Sequence, residues 1–263
     1  MTVWTAAKIR GAKGKERLAC LTAYDYQSAR LLDEAGVPLI LVGDSLAMTV
    51  LGYADTLPVT MDEMLHHTRA VARGVKQGLV VADMPFMSYQ ASVDEAVANA
   101  GRFIKDARAG AVKIEGGAFR KPLIETLVHN GIPVLGHIGL MPQSVRATGY
   151  KVEGRTPEAA ARILEDARAL EAAGVFAMVL EGMPSAVAEA VTKAVQVPTI
   201  GIGAGPHCDG QILVTHDVLG MFAAFTPKFV KRYAELGRAM SDAFAAYRRD
   251  VETGNFPGVE HEY

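Results

Sequence analysis

Long hydrophobic runs are missing from this sequence. The longest, such as 37–42 and 175–180, fall far short of the ~20 apolar residues that a membrane-spanning helix needs, so no membrane span is expected. An excess of one charge sign is missing too. The chain has 27 basic and 29 acidic residues and a net charge of −2, which gives no electrostatic basis for binding nucleic acid or an anionic membrane surface. Cysteine is scarce: Cys20 and Cys208 form no C-x-x-C pair and stand near no cluster of metal-spaced histidines, which excludes a disulfide framework. They read as reduced thiols of a cytoplasmic protein. Residues 1–17 hold no long apolar stretch, so no secretory signal is expected. Linkers and low-complexity tracts are absent as well, and 1–263 is expected to form one domain.

Half of the residues are apolar and 21% are charged, enough for a sizeable core. One unit recurs: a helical pattern, a glycine, a short apolar run, then a polar residue. Gly36 leads to 37–42 and Gly43-Asp44, Gly78 to 79–82 and Asp83, and Gly110 to Ala111-Val112 and Lys113-Ile114-Glu115. Gly131 leads to 132–135 and Gly136-His137, and Gly174 to 175–180 and Glu181. Glycine suits the C′ position of a helix because the left-handed conformation costs it little. A short, continuously apolar run fits a strand buried on both faces, as in a parallel sheet. Helices are expected near 61–77, 93–109, 122–130 and 157–173. Thr60 with Glu63, and Ser92 with Glu95, make capping boxes, and Thr156 precedes Pro157 at a first helical position. Weaker strands at 18–21, 199–202 and near 212–215 bring the count to eight. Over this length, eight alternating strands and helices predict a single (β/α)8 TIM barrel, with a doubly wound open sheet as the alternative. Helices after Pro227 are expected to pack on the barrel or against another subunit.

In such a barrel every strand delivers its last residue to one face, where active sites lie. That face would collect Asp44, Asp83, Lys113, Glu115, His137 and Glu181. Each alone has a plainer reading: Asp44 or Asp83 as a turn cap, Lys113 with Glu115 as an ion pair, His137 as a hydrogen-bonded core histidine, Glu181 as a cap for a helix near Ser185. Together they concentrate like charge that burial does not tolerate without a cation or substrate. The hard oxygens of Asp44, Asp83 and Glu115 favour Mg2+ or Mn2+ over zinc. Lys113 suits a carboxylate or a developing oxyanion. Gly201-Ile202-Gly203-Ala204-Gly205 departs from the dinucleotide fingerprint, because residue 206 is proline. It reads as a tight turn or as close approach to a ligand. His66-His67 lies inside a predicted helix without a partner. The stretch 148–154, flanked by Gly149 and Gly154, suits a mobile lid or an ordinary loop.

Several ordered motifs carry a resemblance. Val42-Gly43-Asp44-Ser45-Leu46, Asp83-Met84-Pro85-Phe86-Met87, Lys113-Ile114-Glu115-Gly116-Gly117, Gly136-His137-Ile138-Gly139-Leu140-Met141-Pro142-Gln143, Gly149-Tyr150-Lys151-Val152 and Ile200-Gly201-Ile202-Gly203-Ala204-Gly205 resemble the 3-methyl-2-oxobutanoate (ketopantoate) hydroxymethyltransferase family. The resemblance runs from Leu21-Thr22-Ala23-Tyr24-Asp25 to Gly258-Val259-Glu260-His261. It implies a barrel of the phosphoenolpyruvate/pyruvate type and a homodecamer working in pantothenate biosynthesis. The implied reaction converts 3-methyl-2-oxobutanoate, 5,10-methylenetetrahydrofolate and water to 2-dehydropantoate and tetrahydrofolate. By position, it implies that Asp44, Asp83 and Glu115 hold one Mg2+ per subunit. Ser45 and Lys113, with Asp44 and Asp83, would contact the oxo acid, and Glu181 would be the general base. His137 is expected to touch substrate or to support its neighbours. Ala47, Ala147-Thr148 and Gly182-Met183 depart from the family's usual residues without removing a charged one. The rival expectations are a related metal-dependent 2-oxo acid lyase or mutase, and a non-catalytic barrel that serves as a binding module.

Overall fold

The computed structural model describes residues 3–221 and 227–263. Its strands are β1 Leu18–Thr22, β2 Leu39–Val42, β3 Leu79–Asp83, β4 Ala111–Glu115, β5 Val134–Gly139, β6 Ala177–Glu181, β7 Thr199–Ile202 and β8 Gly210–Leu213. Each pairs in parallel with the next, and β8 pairs with β1, so the sheet closes as a barrel in sequence order. Closure excludes the open sheet. The last strand starts at Gly210, earlier than its apolar pattern suggests. Gly210 pairs with Leu18, and a Cβ there would lie 2.5 Å from the Leu18 carbonyl oxygen, so the position needs glycine, a poor strand signal by itself.

Period-two alternation divides the strand side chains between two cores. Leu18, Leu39, Leu79, Val81, Leu135, Val179 and Ile212 point into the barrel, where Ile9 of helix Ala6–Gly11 joins them. Ile40, Val80, Val112, Ile114, Met178 and Leu180 point outward, against helix residues such as Met64, Phe103, Ile124 and Leu170. Burying each such aliphatic side chain contributes about 1.5–3 kcal/mol before entropy is counted. Both cysteines are free and buried. Among the described residues no helix is long and apolar enough to cross a membrane.

The outer helices include Met61–Gly74, Val93–Lys105, Lys121–His129 and Pro157–Ala173. Thr60 forms the full capping box with Glu63. Ser92 accepts from the Glu95 N–H, and Thr156 accepts from the Ala159 N–H. Gly174 ends its helix in the left-handed conformation, as expected. Gly78 and Gly110 do not act that way, and their helices stop several residues earlier than expected. After Gly74 the chain turns extended at Val75. The buried Asp33 carboxylate then accepts from the N–H groups of Lys76, Gln77 and Gly78 at 2.9, 2.9 and 2.7 Å. Before β4 the left-handed residue is Arg108, with φ +60°. Gly110 serves close packing: a Cβ there would lie 2.5 Å from Leu79 Cδ1.

By contacts the chain divides into two compact units, Met1–Val214 and Thr215–Tyr263. The second contains helix Leu236–Glu252, along which Met240, Phe244, Tyr247 and Val251 are exposed at three- and four-residue spacing.

Asp33→Ala leaves three backbone donors without their acceptor. Buried unpaired donors cost ~1–3 kcal/mol each, and here part of the loss is made up by water, so a net loss of about 2 kcal/mol is expected in urea unfolding. A variant as stable as the parent contradicts this account of the turn.

Candidate active site

Residues two apart on a strand share a face. Along β3 the inward column runs Leu79, Val81, Asp83, and along β4 it runs Ala111, Lys113, Glu115. On β5 His137 follows Leu135, and on β6 Glu181 follows Ala177 and Val179. The register sets Asp83 beside Lys113, Glu115 beside His137, and Gly139 beside Glu181. The barrel interior thus changes from apolar to polar at the C-terminal rim. Asp44 arrives from the turn after β2, and its N–H donates to Asp83 Oδ2 at 3.2 Å. Asp44, Asp83, Lys113, Glu115 and His137 are buried. The Glu181 side chain keeps 19% of its surface exposed, which leaves it open to a bound molecule.

These contacts exclude two of the plainer readings, the capping roles of Asp44 and Glu181, while Lys113 keeps an ion pair with Glu115. The short helix Leu46–Thr49 has Ser45 at its N-cap without a side-chain capping bond, so Asp44 is not spent there. Pro184 holds the N-cap before Ser185, so Glu181 does not cap that helix. Lys113 Nζ donates to both Asp83 oxygens at 2.8 Å and stands 3.5 Å from Glu115 Oε1. Asp83, not Glu115, is therefore its principal partner.

The charge is unevenly offset. Burial and then the charge of Asp83 push the Asp44 carboxyl well above its usual range. Burial also raises Asp83, against the opposing Lys113. Burial works to raise Glu115 as well, but Lys113 and His137 outweigh it and hold that carboxyl low. Burial alone would lower the Lys113 ammonium, yet Asp83, Glu115 and Asp44 overcome it and raise it. His137 lies between two acids, with Nδ1 3.5 Å from Glu115 Oε1 and Nε2 3.2 Å from Glu181 Oε2. Burial and Lys113 work to lower it, and the two carboxylates win, raising it to about 9. Both ring nitrogens face a carboxylate, so each contact strengthens when the ring carries its second proton.

Two residues without a charge signal complete the site. Gln143 lies in the turn Pro142–Ser144 after β5. Its side chain reaches Asp44 and its N–H reaches Glu115. The Tyr89 hydroxyl accepts from the Glu115 N–H at 3.3 Å. Sequence reasoning built on strand-terminal charges passes over both, because one is a neutral loop amide and the other precedes a helix. Ser45 Oγ pairs with the Tyr24 hydroxyl at 2.8 Å, which ties the Asp44-Ser45 turn to the segment after β1.

Other expected features fall at the margin. Gly203 and Gly205 have φ of +60° and +79°, and a Cβ on Gly205 would lie 2.3 Å from Ser185 Oγ. The close approach there is to the chain itself. His67 Nδ1 donates to the Tyr24 carbonyl at 2.6 Å, so His67 is a packing residue. In the stretch after β5, the Glu153 N–H donates to the Gly182 carbonyl at 2.9 Å. Burial, then Asp55, Asp44 and Glu181, raises the Tyr150 hydroxyl, which places that residue in the field of the rim.

Among the described residues, no three His, Cys, Asp or Glu side chains already stand as a chelating cluster, and Lys113 takes the bonds of Asp83. The donor set nonetheless fits a hard divalent cation. Asp44, Asp83 and Glu115 present only carboxylate oxygens, and Glu115 Oε1 is buried without a hydrogen bond.

Fold and rim define the chain as a (β/α)8 barrel with an acid–lysine–histidine centre at the C-terminal ends of its strands. Solved structures of this shape include 2,3-dimethylmalate lyase (TM-score 0.61, 19% identity, 98% of this chain and 91% of that one). Another is phosphonopyruvate hydrolase in complex with oxalate and Mg2+ (TM-score 0.63, 16% identity, 97% and 93%). At such identity they share the fold. The chain belongs to the ketopantoate hydroxymethyltransferase family, whose model matches residues 3–259. It is 58% identical over 260 residues to the 3-methyl-2-oxobutanoate hydroxymethyltransferase of Syntrophobacter fumaroxidans, covering 98% of this chain and 92% of that protein. It is 56% identical over 262 residues to the enzyme of the same name from Clostridium novyi, covering 99% and 94%.

The raised His137 has a thermodynamic consequence. Its folded value of about 9 lies above the ordinary 6.5, so the folded protein holds the extra proton between those values. The associated stability is fully present below about pH 6.5 and is lost as pH rises through about 9. Urea unfolding of chelator-treated protein should show stability falling across that interval, and His137→Gln should flatten the fall. An unchanged slope in the variant removes His137 as its source.

Proposed function

We propose that the chain transfers a hydroxymethyl group from 5,10-methylenetetrahydrofolate to 3-methyl-2-oxobutanoate, with water, to give 2-dehydropantoate and tetrahydrofolate. This is a cytoplasmic step of pantothenate biosynthesis. The observation that carries this reading is the full-length family match, 3–259, with relatives of the same name at 58% and 56% identity. Asp44, Asp83 and Glu115 would hold one Mg2+ per subunit, and the bound ion would supply positive charge for the oxygens of an enolate. With an ion on Asp83, the Lys113 ammonium, which otherwise bonds both Asp83 oxygens, would be free to turn toward the carboxylate or keto oxygen of the oxo acid. Asp44, Asp83 and the Ser45 hydroxyl would contact the same oxo acid.

Glu181 removes the proton from C3 of the oxo acid. Its partial exposure, 19%, lets that carbon approach, and His137 on its other side steadies the carboxylate at 3.2 Å. C3 then forms its new bond to the methylene carbon as one folate C–N bond opens; water supplies the hydroxyl oxygen as the second C–N bond breaks, and the two folate nitrogens take up one proton from C3 and one from that water. Both substrates must be held in line, which accounts for several kcal/mol of the barrier. The stretch 148–154, tied through the Glu153 N–H to the Gly182 carbonyl beside Glu181, is the segment suited to excluding water. We also propose a homodecamer. The exposed row Met240, Phe244, Tyr247 and Val251 offers apolar surface for subunit contacts.

Incubation with 3-methyl-2-oxobutanoate, tetrahydrofolate, formaldehyde and Mg2+ should yield 2-dehydropantoate, and chelation should stop it. Failure to form 2-dehydropantoate in the complete mixture points instead to another 2-oxo acid reaction, and equal product formation without folate removes the folate as the one-carbon donor. Glu181→Gln is expected to keep metal and oxo-acid binding while turnover falls about 10²–10⁴-fold; near-normal turnover refutes the base assignment. Asp83→Ala is expected to weaken metal and oxo-acid binding together in calorimetric titrations. Normal metal binding by that variant shows the ligand set to be wrong.

A further inference from the structure

The side chain of Gln143 is buried, 5% exposed, and every hydrogen-bonding position of its amide is used. Nε2 donates to Asp44 Oδ2 at 3.0 Å and to the Met84 carbonyl at 2.9 Å. Oε1 accepts from the Tyr89 hydroxyl at 2.7 Å and from Gln90 Nε2 at 3.2 Å. The amide therefore has one allowed orientation. Turning it over would set its oxygen against a carboxylate and a carbonyl, two acceptors, and would lose the bond from Tyr89. The backbone N–H of the same residue donates to Glu115 Oε2 at 3.1 Å. One residue thus grips one oxygen of each of two carboxylates that stand 99 and 28 positions away in the chain. The other oxygen of Glu115 has no hydrogen bond. Tyr89 closes the loop by accepting from the Glu115 N–H.

We propose that Gln143 is a positioning residue for the divalent-cation site. It sets the separation and orientation of Asp44 and Glu115, and so makes the segment after β5 a structural part of that site. This rests on the metal reading of the rim given above. No other natural side chain meets the same demands. Glutamate has the length but no donor, and it adds charge to an acidic cluster. Asparagine is one methylene too short to reach Asp44 while its backbone stays on Glu115. Leucine fills the space and bonds to neither.

The experiment is a Mn2+ titration of the full chain followed by electron paramagnetic resonance, with thermal melting of the chelator-treated protein and kcat at saturating Mn2+ measured alongside. Gln143→Leu should weaken Mn2+ binding by roughly 10–100-fold, the usual effect of removing a group that orients metal ligands. Its metal-free melting should fall as well, because the Met84 carbonyl and the Tyr89 hydroxyl lose a buried partner, while kcat at saturating Mn2+ should recover more of the parent value than kcat at low Mn2+. Tyr89→Phe, which removes only the hydroxyl that orients the amide, should give a smaller loss in the same direction. A purely architectural role would lower metal-free melting and leave Mn2+ affinity alone, and that result overturns the inference. If Gln143→Leu does not fold, Tyr89→Phe decides alone: affinity within about twofold of the parent overturns it. Failure of the parent to bind Mn2+ is a separate result, which removes the metal reading and this inference with it.

Discussion

Like charge held close together out of water is the constraint on which this molecule turns. Asp44, Asp83, Glu115 and Glu181 meet at one rim, three of them buried. Desolvated carboxylates repel one another strongly unless cations or donors offset them. Lys113 and His137 supply part of the offset from neighbouring strands, and Gln143 and Tyr89 supply neutral hydrogen-bonding support. The remaining imbalance is visible in Asp44, whose carboxyl is held well above its usual range. A site built this way is poised for a positively charged group, and it would be a costly arrangement in a protein that never bound one.

The barrel makes such a concentration tolerable. Below the rim the same inward columns are aliphatic, and they pack with Ile9 into a continuous core. The outward faces bury a second apolar layer against the helices. Stability is thus supplied by positions two and four residues short of the polar tips, while the tips themselves are free to serve chemistry. Inward and outward faces alternate along single strands of four to six residues, so a shift of one residue in register would turn the polar tips out of the barrel mouth.

Much of this was readable along the chain. Short apolar runs ending in acids gave the strands, their parallel order and the set Asp44, Asp83, Lys113, Glu115, His137 and Glu181, because strand periodicity is local information. The glycine signal was less dependable. Gly174 ends a helix as its position suggests, but Gly78 and Gly110 stand where backbone and side chains crowd. Sequence does not distinguish a glycine needed for its φ from one needed for lack of a Cβ. Gln143 and Tyr89 left no charge signal, since a neutral amide in a turn and a tyrosine before a helix look like ordinary loop residues.

The sequence by itself determined the alternation of elements, the apolar filling of both layers and which charged residues reach the rim, because these follow from spacing within each segment. Only the tertiary structure decided who pairs with whom at that rim. Lys113 chose Asp83 over the glutamate two residues away on its own strand, His137 came to lie between Glu115 and Glu181, and Gln143 joined Asp44 to Glu115. Those choices depend on the register of neighbouring strands and on closure of the barrel, which bring together residues that spacing along the chain leaves far apart.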